Sequence, residues 1–123
     1  MHQHYFVGAT APMVVSYLDT LFAMVFLDPD NPPDEIMLQW HTTDWLSRAY
    51  WGANLINWGT DGSAQRHFMG PLPPTGEWVR LEVLAQAVGI NGTAVKVDGM
   101  AFTLSGGRAA WDYAGVCKSS LLT

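Results

Sequence analysis

Apolar and polar positions alternate along this chain in short bursts that never settle into a helical period. "EWVRLEVLA" (77–85) is the clearest case: Val79, Leu81 and Val83 fall on one face, and Trp78, Arg80 and Glu82 on the other. "EIMLQWH" (35–41) behaves likewise, with Ile36, Leu38 and Trp40 opposed to Met37, Gln39 and His41. "MAFTLSGG" groups Met100, Phe102 and Leu104. "HQHYFVG", "MVVSYL" and "TLFAMVFL" predict strands near residues 2–7, 13–17 and 20–27, while "RAYWG", "AQRHFM" (64–69) and "RAAWDYAG" add further candidates. Two proline-rich breakers, "DPDNPPDE" and "GPLPPTGE", interrupt the series, because proline lacks the N–H that a ladder needs. Asn91-Gly92 is a favoured tight-turn dipeptide; with Thr93 it also matches a glycosylation acceptor, which here reads as turn chemistry. "LAQAVG" is long enough for one helical turn, and helix should stay under about a tenth of the chain.

Short strands with turns every eight to twelve residues predict an all-β fold of two packed antiparallel sheets, an antiparallel β-sandwich with jelly-roll topology preferred. One domain is expected over 1–116, followed by a loose tail over 117–123. The 123 residues are 49% hydrophobic, enough for a real core, and 14% charged, about half the usual share. A net charge of −5 with six scattered Lys and Arg argues against nucleic acid or anionic lipid as partner. No run approaches the roughly 18 apolar residues of a membrane span, so membrane insertion is not expected. No signal peptide is visible, which leaves the compartment open, since a processed secreted domain would look the same. Cys117 is the single cysteine, so neither an internal disulfide nor a cysteine zinc site can form.

Several phrases carry a likeness: "HQHYFVGAT", "FLDPDNPPDEIMLQWH", "RAYWGANLINWGTDG", "MGPLPPTGEWVRLEV" and "GMAFTLSGGRAAWDYAG". Together, over His2 to Gly115, they resemble β-jelly-roll domains of the galactose-binding, carbohydrate-binding-module-like type, which recur in large multidomain bacterial surface or secreted proteins. The resemblance implies an extracellular or cell-surface setting, a polysaccharide or glycan partner, and a closing strand marked by the pair Trp111-Asp112. Family members start some tens of residues before "HQHYF". The first strand or strands of the jelly roll are therefore expected to be missing. That would leave an edge for a homo-oligomer to cover.

The candidate site is "AYWGANLINWGTDG" (49–62) with its flanks. Sugar rings present flat C–H faces that stack on Trp and Tyr, while amides and carboxylates bind their hydroxyls. Trp45, Tyr50, Trp51 and Trp58 supply rings, and Arg48, Asn54, Asn57 and Asp61 supply polar groups. Gly52, Gly59 and Gly62 mark the stretch as a loop able to expose them. The alternative is that these rings fill the end of a core, as Trp40, Trp78 and Trp111 are expected to do within strands.

Two metal readings stand beside it. Asp28, Asp30 and Asp34, near Glu35, offer oxygen ligands that suit calcium, although the prolines favour plain turn chemistry for the segment and the spacing is not an EF-hand. His2 and His4 would share a strand face at chelating distance, with His41 and His67 able to join them in space. A copper site using an N-terminal His2 amine is disfavoured by Met1. No cofactor is required. No G-x-S-x-G, P-loop or H-E-x-x-H motif occurs, and no carboxylate pair singles itself out for glycoside hydrolysis. Three functions follow from these readings. The leading one is a non-catalytic carbohydrate-binding domain; the others are a structural or adhesive building block of a surface protein, and a small His-metal enzyme acting on polysaccharide.

Overall fold

The computed structural model describes residues 1–119. Ten strands run through them in chain order: β1 (His2–Phe6), β2 (Met13–Val15), β3 (Thr20–Leu27), β4 (Glu35–His41), β5 (Ser47–Gly52), β6 (His67–Gly70), β7 (Trp78–Leu84), β8 (Val95–Val97), β9 (Gly99–Ser105) and β10 (Ala109–Cys117). The only helix among the described residues is a 3-10 turn, Ala85–Val88, the site of the "LAQAVG" motif.

A five-stranded sheet takes the order β1-β9-β4-β5-β6, a three-stranded sheet the order β10-β3-β7, and β2 and β8 form a small ribbon. All pairings are antiparallel except β5–β6, which is parallel. The fold is therefore all-β, and its two main sheets share one core. Ile36, Leu38, Trp40, Ala49, Trp51, Met100 and Leu104 from the larger sheet meet Leu21, Ala23, Val25, Leu27, Leu81 and Val83 from the smaller. That is the packing of a β-sandwich, in which each strand turns one face inward.

The alternation in "EWVRLEVLA" is realised residue for residue: Leu81 and Val83 are buried and Val79 half-buried, while Trp78, Arg80 and Glu82 are exposed. Trp78 thus lies on the outside of the smaller sheet at 49% exposure instead of filling a core. It tilts against Phe26 at 5.7 Å between ring centroids, near a Phe22–Tyr113 stack at 6.0 Å. Tyr113 adopts φ 49 at the register shift in β10.

Asn91-Gly92 does not close a two-residue hairpin. β7 pairs with β3 and β8 with β2, and the Gly92 carbonyl instead accepts from the Tyr17 N–H at 2.9 Å. Every residue of β1 is exposed, and this strand forms one edge of the larger sheet.

Cys117 belongs to β10, opposite Thr20. The next two residues are held by the buried Asp19. Its Oδ2 lies 2.7 Å from Lys118 Nζ, and its Oδ1 accepts from the Ser119 N–H at 2.8 Å. The chain is thus anchored through residue 119, and the rest of the expected tail, 120–123, lies outside the described residues.

Candidate functional site

The outer face of the larger sheet is built from the polar halves of its alternating strands. Strand register aligns one transverse row, Tyr5–Ala101–Gln39–Arg48, across β1, β9, β4 and β5. The adjacent row is Gln3–Thr103–Met37–Tyr50–Phe68, ending on β6. Both faces of β4 are buried, and the reason is visible in the second row. Met37 and Tyr50 pack with Ile56 and Trp58, so the loop after β5 folds back over the sheet and makes a second small core.

This loop is "AYWGANLINWGTDG" with its continuation, and the structure divides its residues between different tasks. Trp51 points inward and joins the main core at 7% exposure. Tyr50 lies beneath the loop at 3% exposure. Its hydroxyl donates to Asp61 Oδ1 at 2.7 Å; burial and that carboxylate push its pKa up to about 12. Asn54 Nδ2 donates to the other Asp61 oxygen at 3.1 Å. Arg66, which the sequence reading passed over, donates to Asn54 Oδ1, Asn57 Oδ1 and the Ile56 carbonyl at 3.2–3.3 Å. The amides and the carboxylate expected to face hydroxyl groups also pin the loop, while all three side chains stay exposed.

Glu35 completes the clamp. It is fully buried, and its Oε1 accepts the Leu55 and Ile56 N–H groups at 2.6 and 2.8 Å. Burial raises its pKa against those two hydrogen bonds. Gly59 is obligatory in this arrangement. It holds φ +77, and a Cβ there would come within 2.8 Å of Gln65 and of Arg48 Nη1.

Of the eight expected residues, Trp45, Arg48 and Trp58 come together, all half-buried, around a groove of about 400 Å³. Gln3, Tyr5, Gln39 and Ala101 complete its lining. Ala101 sits in the middle of the first row, between Tyr5 and Gln39. Its small side chain keeps the floor low there. Tyr5 meets Trp45 edge-on at 6.2 Å, and His41 meets the same indole at 4.9 Å. His41 Nδ1 is in turn 2.6 Å from Asp98 Oδ1, an interaction that holds the Asp98 carboxyl below its ordinary range. The Trp45 wall is therefore braced from two sides.

The floor is a continuous hydrogen-bonded ladder. Arg48 Nε donates to Gln39 Oε1 at 2.9 Å, and Gln39 Nε2 donates to Gln3 Oε1 at 3.0 Å and Thr103 Oγ1 at 3.3 Å. Thr103 Oγ1 donates to Gln3 Oε1 at 2.8 Å. Such a network fixes the rotamers of its members. Comparison with protein-family models, curated proteins and solved structures finds no match. The likeness to carbohydrate-binding jelly rolls thus rests on the sequence phrases alone.

Gln3, Tyr5, Gln39 and Ala101 were absent from the sequence-derived site. The signal lay in alternation: Gln3 and Tyr5 share a face in "HQHYF", and Gln39 takes the polar side of "EIMLQWH". What alternation cannot supply is the pairing of β1 with β9 and of β9 with β4, which lines these residues up.

Asp28 Oδ1 accepts the Asp30 N–H at 2.8 Å, a local turn bond, and its other oxygen faces Arg108 at 3.7 Å. Asp34 lies beside Gly106. His2 and His4 do share a face, toward the side opening between the sheets with Phe102, Leu104, Ala109 and Trp111, whereas His41 is engaged with Asp98. No group of three or more His, Cys, Asp or Glu able to hold a metal occurs among the described residues. None of their helices is long and apolar enough to cross a membrane.

Proposed function

We propose that this chain is a non-catalytic carbohydrate-binding domain of jelly-roll type, part of a secreted or cell-surface protein, with the outer groove of its larger sheet as the binding site. The observation that carries this reading is the groove itself. Rings from three separate segments (Tyr5, Trp45 and Trp58) border a floor of amides and one guanidinium. Flat apolar rings beside fixed polar groups match a pyranose, which has C–H faces and hydroxyl edges. The jelly-roll topology draws support from strands distant in sequence lying side by side, β9 between β1 and β4, and β3 between β10 and β7.

Stacking contributes about 1 kcal/mol per ring beyond buried area. Dissociation constants of about 10 μM to 1 mM are therefore expected. Calorimetry against soluble β-glucans, xylans, galactans and uronic-acid polymers should show binding by the wild-type domain. Trp45→Ala should weaken it by roughly tenfold or more, about 1.4 kcal/mol, while thermal melting stays near wild type. Trp58→Ala should weaken it similarly, with a modest loss of stability because the ring also packs on Met37, Tyr50 and Ile56. A wild-type domain that binds no glycan in the panel would sink the proposal.

A second reading, a structural or adhesive building block, is favoured by the edge strand β1 together with the exposed aromatic residues of the smaller sheet. Tyr5, Phe6, Trp78 and Tyr113 are 63%, 49%, 49% and 76% exposed. Unpaired strand edges are natural sites for adding another chain. On this reading sedimentation should reveal self-association at micromolar concentrations; a monomer throughout that range would count against it.

A further inference from the structure

We infer that the groove selects saccharides bearing a carboxylate, a uronic-acid unit, and that Arg48 is the residue that reads it. The inference rests on the carbohydrate reading of the groove and narrows it to one substrate class. In a chain of net charge −5, the residues lining the groove are three aromatic rings, two amides, one alanine and one cation. No carboxylate lines it, so the acidic character of the chain gives way to a single positive centre on this floor.

Arg48 is oriented without being neutralised. Its Nε donates to the Gln39 amide oxygen at 2.9 Å and its Nη1 to the Gln65 carbonyl at 3.1 Å, both neutral acceptors. The loop backbone at Gly59 closes against Nη1 and prevents the head group from swinging that way. Among the described residues the ion pairs are His41–Asp98, Arg80–Glu82, Arg108–Asp28 and Lys118–Asp19, and Arg48 takes part in none. Arg48 is half-buried, and burial lowers its pKa, with the Asp44 charge opposing that effect and the Arg66 charge adding to it.

A partly desolvated cation without an ion-pair partner is costly, and a ligand carboxylate would relieve that cost. The N–H donors still uncommitted on Nη2 and Nη1 suit a carboxylate, which guanidinium binds in a fork geometry that lysine cannot reproduce. A sugar stacked on Trp45 or Trp58 brings its ring substituents down to this floor. A uronate carries its carboxylate as such a substituent, whereas a neutral hexose places a hydroxymethyl there.

The test uses the whole domain and three oligosaccharide pairs: galacturonate, mannuronate–guluronate and glucuronate-bearing xylan oligomers, each beside its methyl ester. At least one acid should bind roughly tenfold or more tightly than its own ester. The preference should shrink with added salt and vanish in Arg48→Gln, with Arg48→Lys recovering only part of it. If Arg48→Gln fails to fold, the acid–ester comparison on wild type still decides. Equal affinity for acid and ester in every pair, with Trp45→Ala still weakening binding, would overturn the carboxylate assignment and leave the carbohydrate reading standing. A sulfated galactan fragment bound as tightly as the best uronate would also overturn it, showing a preference for anions in general. Absence of binding to any saccharide would refute both.

Discussion

Trp51→Ala should unfold the domain or lower its melting temperature by roughly 10–20 °C, although Trp51 lies in the most loop-like stretch of the sequence. The indole is 7% exposed and packs in the core shared by both sheets, on the inward side of β5 beside Ala49. Truncating a buried tryptophan removes its transfer free energy and leaves a cavity, at a cost of about 3–5 kcal/mol. That is a large part of the roughly 5–15 kcal/mol that stabilises a domain. The contrast with Trp45→Ala, six positions earlier, is the informative one: the first substitution should act on the melt and the second on ligand affinity. Parallel thermal melts of both variants check this, and a Trp51→Ala melt within two or three degrees of wild type would mean that the ring is not core.

Asp19→Ala should produce the second large loss of stability. Asp19 is fully buried and joins three parts of the chain. Its carboxylate accepts the Ser16 N–H at 2.8 Å and holds Lys118 and Ser119, while its own carbonyl accepts the Ala85 N–H at 2.9 Å. Removing the carboxylate leaves the buried Ser16 N–H without its acceptor, at about 1–3 kcal/mol, and frees the end of β10. Burial pushes the Asp19 carboxyl up, but the hydrogen bond from Lys118 and those from Ser16 and Ser119 outweigh it, so its pKa falls below 3.8.

The folded state therefore binds this proton less readily than the unfolded chain. The stabilisation is complete above a pH of about 3.8 and disappears as the pH falls through the lower, folded value. Denaturant titrations should show the full deficit of Asp19→Ala near neutrality and convergence with wild type in acid. A deficit that persists unchanged at low pH would show that the carboxylate charge is not responsible.

Much of the fold was legible because strand alternation is local. "EWVRLEVLA" and "EIMLQWH" each declare their inward residues through period-two spacing, and the prolines of "DPDNPPDE" end pairing for a reason internal to the segment. Trp78 was the exception among residues assigned to the core. Its place on the outward side of β7 follows from the same alternation that buried Leu81 and Val83, and its size alone suggested otherwise.

The candidate site was legible only in part. Trp45, Arg48 and Trp58 stand out as aromatic and polar residues near a glycine-rich loop. Their neighbours Asn54, Asn57 and Asp61 have the same chemistry and are exposed, but Arg66 and Tyr50 also engage them, and Glu35 holds the backbone between them. Nothing in composition distinguishes an amide that faces solvent from one that ties down a loop. By itself the sequence determined which residues alternate, where strands must stop and that no helix would form beyond a turn, since each of these depends on neighbours within a few positions. Only the tertiary structure decided that Trp51 faces inward, that Gln3, Gln39, Thr103 and Arg48 form one ladder, and that Tyr5 stands against Trp45. Those facts depend on which strands pair and in what register, and register is set by the packing of the whole sandwich.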